Sequence, residues 1–77
     1  MLEMVEEKIR KIRRKAEREM MERTVEGDEA SGRYAACETL LSGIKPEDAL
    51  NALCIIPQTL PQRRGAKEIF EQFEGLI

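Results

Sequence analysis

Wherever apolar residues recur in this chain they do so at helical intervals, and nowhere at the two-residue alternation of a half-buried strand. Leu2, Val5, Ile9, Ile12, Ala16 and Met20 follow one another at spacings of 3, 4, 3, 4 and 4, which keeps them on one stripe. The spacing predicts a helix over about residues 2–25. Glu3, Glu6 and Glu7 lie in its first two turns, where negative charge suits the positive end of the helix dipole. At 1.5 Å per residue such a helix is a rod of roughly 36 Å. That is long for a domain of 77 residues, so the rod either spans the protein or projects from it.

The remaining elements are marked by their ends. Glu26 to Gly32, with two glycines, reads as a polar break. A second helix is expected over about 32–41, with Tyr34, Cys37, Leu40 and Leu41 on its apolar face and Ser42-Gly43 as a left-handed stop. Pro46-Glu47-Asp48 opens a third, since proline lacks only an N–H that would be unpaired there. Ala49, Leu50, Leu53 and Cys54 carry its buried side, and Pro57 ends it. The last helix begins at Thr59-Leu60-Pro61-Gln62, a Thr-x-x-Gln capping box, although Leu60 before proline resists the helical region and competes as the cap. Ile69, Phe70, Phe73, Leu76 and Ile77 give it the strongest apolar face. The expected fold is a single all-α domain over 1–77: a small bundle of about four helices, with a long charged N-terminal helix and a helical cluster over about 32–76.

So short a chain has little core with which to offset the entropy of ordering, about 1.5 kcal/mol per residue. Only three residues are aromatic: Tyr34, Phe70 and Phe73. A partner subunit is one remedy. The stripe Leu2, Val5, Ile9, Ile12 and Ala16 has the spacing of a coiled-coil seam, though over barely two heptads. It is the expected oligomer seam, with a homodimer favoured.

Several chemistries are excluded. The chain has no histidine, which removes histidine-based triads and most zinc and haem sites. Asp28 and Glu29 lack the ligand spacing of a calcium loop, and no strand precedes a glycine-rich turn. No catalytic residue, metal site or cofactor is assigned. Cys37 and Cys54 form no Cys-x-x-Cys pair and read as reduced, buried thiols. The longest apolar run, Ala52 to Ile56, is far short of the ~20 residues that span a bilayer. The expectation is a cytoplasmic protein that does not bind membranes.

The net charge of −2 conceals an asymmetry: residues 1–25 carry +2 and residues 26–77 carry −4. Between Lys8 and Arg18 there are seven bases and one acid. On a helical wheel Lys8, Arg10, Lys11, Arg14, Lys15 and Arg18 lie opposite the apolar stripe, as a candidate anion- or partner-binding face. Ion pairs at i,i+4 are available in Glu6–Arg10, Glu7–Lys11, Lys15–Glu19 and Arg18–Glu22. Yet Arg10, Arg14 and Arg18 form a row of like charges, each pair destabilising by roughly 0.2–0.5 kcal/mol. An acidic protein surface or nucleic-acid phosphates would relieve it. Arg63, Arg64 and Lys67, at the start of the last helix, make a secondary candidate anion site beside Gly65, which admits either a phosphate or a packed backbone. The favoured reading is a small non-enzymatic interaction protein that regulates or inhibits a larger macromolecule through protein–protein contact. The alternative is nucleic-acid binding through the basic face and the Arg63/Arg64 helix start.

Overall fold

The computed structural model describes residues 3–21, 24–51 and 59–76. These contain four helices and no strand: α1 (Glu3–Glu19), α2 (Val25–Leu41), α3 (Pro46–Asn51) and α4 (Leu60–Phe73). The all-α architecture is therefore as the periodicity requires. Two boundaries differ from expectation. α1 is 17 residues, about 25 Å at 1.5 Å per residue, and ends before Val25. The stretch from Glu26 to Gly32 is not a break but the first half of α2.

Capping and packing explain both differences. Thr24 is extended and its hydroxyl accepts from the Gly27 N–H at 3.1 Å, so a helix starts here, with Glu26 and Asp28 in its first turn. Gly32 is helical because it is a contact surface. A Cβ there would stand 2.7 Å from the Gln62 carbonyl carbon of α4 and overlap its oxygen. A Cβ on Gly65 would likewise overlap the Glu29 carbonyl of α2. Each glycine thus receives a carbonyl of the opposite helix, and α2 and α4 cross backbone to backbone. Buried Ala30, Ala36 and Ala66 continue the small-residue surface around the crossing.

The other helix ends match their local chemistry. Gly43, at φ +95°, closes α2: its N–H donates to Leu40 and the Ile44 N–H reaches back to Thr39, the paired bonds of a Schellman stop. Pro46 opens α3; its expected continuation, with Leu53 and Cys54, lies outside the described residues. Thr59, not Leu60, caps α4, and both bonds of the capping box form: Gln62 N–H to Thr59 Oγ1 at 3.3 Å and Thr59 N–H to Gln62 Oε1 at 3.2 Å.

α2 is the central element, with α1 and α4 packed on either side of it and α3 against α4; α1 and α4 scarcely touch. Ile9, Cys37, Leu40, Ile69, Phe70 and Phe73 are the larger members of one core. Leu76, expected on the buried face of α4, follows the helix end and is exposed. The stripe of α1 is turned inward. Ile9 and Ala16 are fully buried, and Val5 and Ile12 pack against the core from its edge; Leu2 lies outside the described residues. Ile9 and Ala16 of the expected oligomer seam thus contribute to the protein's own core, with Val5 and Ile12 at its edge. The rod does not project. The Cα radius of gyration, 11.4 Å, is the value of about 11.5 Å expected for a compact chain of this length.

Candidate interaction surface on α1

With its apolar stripe buried, α1 presents its bases outward, and the structure separates them by what they meet. Arg10 is neutralised by Glu6 at 2.7 Å, so one member of the arginine row has its own acid. Arg13 reaches across to Glu38 of α2 at 2.9 Å and belongs to the packing between helices. The other five bases, Lys8, Lys11, Arg14, Lys15 and Arg18, have no carboxylate within 4.0 Å among the described residues. The expected Glu7–Lys11 and Lys15–Glu19 pairs do not form, and Glu22, the expected partner of Arg18, lies outside the described residues.

Glu19 is absent from Lys15 because Arg33 of α2 holds it. The Arg33 side chain is only 19% exposed, and its guanidinium stands 3.3 Å from Glu19, 4.0 Å from Glu29 and 3.8 Å from Glu68. It therefore links α1, α2 and α4 through one side chain. Nothing in the basic cluster points to this residue. Its signal in the sequence is the Glu29–Arg33 spacing of four, which is visible only if the stretch around Gly32 is taken as helix.

The six candidate bases do not share one face. Lys8 and Lys15 line a groove of about 340 Å³ between α1 and α4, over Ile12, Ala16 and Ile69, with Glu68 and Gln72 on the far wall. Arg10, Lys11 and Arg14 line a different surface, alongside Glu3, Glu6 and Glu7. At that N-terminal end acids and bases balance, so the uncompensated charge of α1 is gathered toward the groove and toward Arg18.

Two of the three bases of the secondary candidate site have carboxylate partners. Arg64 pairs with Glu29 at 3.3 Å and Lys67 with Glu71 at 3.7 Å, leaving Arg63 exposed beside them. Gly65 admits the α2 backbone, so its open side is already filled and no phosphate can approach it. Basic side chains are present at this helix start, but no cradle is.

Cys37 is fully buried, and burial pushes its thiol from the usual 9.0 to about 11, against the opposing pull of Arg13 and Arg33. It stays protonated at neutral pH and serves as a small apolar core residue; Cys54 lies outside the described residues. Met4 and Met21, near the two ends of α1, are more than four-fifths exposed. No helix among the described residues is long and apolar enough to cross a membrane. No protein-family model, curated protein or solved structure matches the chain.

Proposed function

We propose that this is a cytoplasmic, non-enzymatic interaction protein that regulates or inhibits a larger macromolecule by protein–protein contact, with α1 as the element that meets an acidic partner surface. The observation that carries the reading is the set of five α1 bases with no carboxylate within 4.0 Å among the described residues. A helix selected for its own stability would interleave acids there. A protein partner is favoured over nucleic acid because Glu3, Glu6 and Glu7 stand among Arg10, Lys11 and Arg14: a uniformly charged phosphate backbone must face those acids, whereas a protein surface can set its carboxylates against the bases and its own bases or neutral groups against the acids. Exposed Met4 beside Lys8 and Lys11 adds an adaptable apolar contact that a protein surface can use. The reading does not depend on a second copy of the chain: Ile9 and Ala16 of the stripe face the protein's own core, and Val5 and Ile12 its edge.

The test is capture of a partner from the source cell by the wild type and by a variant with Lys8, Lys11, Arg14, Lys15 and Arg18 all changed to Gln. The variant should keep its helical circular dichroism and lose the partner. Equal capture by both proteins would reduce the α1 bases to a solvated face. A 20-base-pair duplex at low salt should not bind. Binding that weakens with salt at a log–log slope near −0.9 per phosphate would replace this reading with the nucleic-acid one.

A further inference from the structure

The groove between α1 and α4 is lined by three bases, Lys8, Lys15 and Arg33, and two acids, and both acids are engaged by Arg33. Of the carboxylates that line it, Glu19 and Glu68 both turn to Arg33, at 3.3 and 3.8 Å. Glu19 stands four residues after Lys15, the spacing at which the two would otherwise pair. Lys8 and Lys15 are thus left without a carboxylate within 4.0 Å among the described residues, one at each end of a floor made by Ile12, Ala16 and Ile69. The lysines are seven positions apart on the helix, about 10.5 Å along the axis.

From this arrangement we infer that the groove is the docking site for an extended acidic segment of the partner protein, one apolar side chain resting on the Ile12–Ile69 floor and flanking carboxylates meeting Lys8 and Lys15. The inference rests on the reading of α1 as the partner-binding element and narrows it to one side of the helix. The dimensions select the occupant. At about 340 Å³ the groove is near the lower end of the ~300–1,000 Å³ typical of ligand pockets. In an extended segment side chains two apart share a face, so acids two residues before and two after the apolar side chain lie about 13.5 Å apart on the groove side, a separation that the long lysine side chains can bridge from Cα positions about 10.5 Å apart. The order acid, apolar, acid along the segment follows from the order Lys8, Ile12, Lys15 along α1. Arg33, itself part of the lining, sets the charge of the site by pairing the two acids that would otherwise neutralise the lysines.

The probe is the capped peptide Glu-Glu-Leu-Glu-Glu, titrated at low salt into the 15N-labelled full chain and followed by amide shifts. Saturable shifts are expected at Ile12, Ala16, Glu68 and Gln72. Affinity should fall at least fivefold in the Lys8→Gln/Lys15→Gln variant, and at least fivefold when serine replaces the peptide's leucine. It should stay within twofold of wild type in Arg14→Gln/Arg18→Gln. Shifts confined to the surface around Arg14 and Arg18, abolished by the second variant, would overturn the groove while leaving α1 as the partner-binding element. An equal response to the leucine and serine peptides would overturn it too, since the floor would then take no part. So would the absence of saturable binding at millimolar peptide. Loss of partner capture by Lys8→Gln/Lys15→Gln alone supports the groove, whereas normal capture by the five-site variant removes the underlying reading.

Discussion

The two large interfaces of this molecule are built on opposite principles. Where α2 crosses α4, the helices meet through backbone, with Gly32 under the Gln62 carbonyl and Gly65 under that of Glu29. Where α1 lies on α2, side chains fill the space: Ile9 in the core, and the pairs Arg13–Glu38 and Glu19–Arg33 toward the edge. A backbone contact has no rotamers with which to relax, so it tolerates almost nothing. A side-chain contact can be re-formed in several ways. The candidate interaction surface is carried by the helix with the adjustable interface, and the rigid crossing holds the other wall of the groove in place.

The crossing should give the largest response to mutation. Gly32→Ala or Gly65→Ala forces α4 away from α2, and the loss should be about 3 kcal/mol or more, a large fraction of the stability of so small a domain. Urea denaturation measures it; a midpoint unchanged from wild type would mean that the helices do not meet through these glycines. Ile9→Ala acts on the other interface and should lower stability by about 2–4 kcal/mol. Hydrogen exchange in that variant should show α1 amides opening before those of α2 and α4. Uniform loss of protection would instead make the two interfaces one cooperative unit.

Arg33→Met removes the link among the three helices for about 1–2 kcal/mol, a difference that should shrink as salt is raised. Its second effect is more specific. Glu19 becomes free to reach Lys15, so the acidic peptide should bind several-fold more weakly although neither lysine has changed. A further response appears only in alkali. Cys37 titrates near 9.0 when unfolded and near 11 when folded, so its contribution is complete below pH 9 and declines as pH rises toward 11. Stability curves of the wild type and Cys37→Ala should therefore converge over that interval, and curves that stay parallel would show that the thiol is not protected by burial.

Local chemistry is what the sequence makes readable. Thr59 with Gln62, Gly43 after Ser42, and Pro46 each act on backbone within a few residues, and all three positions are as expected. Gly32 misleads because glycine weakens a helix in isolation, and only the carbonyl of Gln62, thirty residues downstream, gives it a reason to be there. The same misreading hides Arg33, whose role needs Glu29 on its own helix and Glu19 and Glu68 on two others. The basic cluster of α1 is legible as a cluster, but its division is not. Whether Lys15 is compensated depends on where Glu19 points, and that is decided by a side chain of another helix.

The glycines of α2 also bear on the order in which the chain becomes structured. Gly27 and Gly32 each weaken the isolated helix by about 1 kcal/mol relative to alanine, so α2 by itself is a poor helix. Its reward for forming is the contact with Gln62 and Gly65, in the final quarter of the chain. Since synthesis runs from the N-terminus, α1 emerges with its stripe exposed and must wait for the surface it will cover. The helix that carries the candidate interaction surface is thus made before the surface that it covers, and truncations that stop before α4 should leave a chain without cooperative structure.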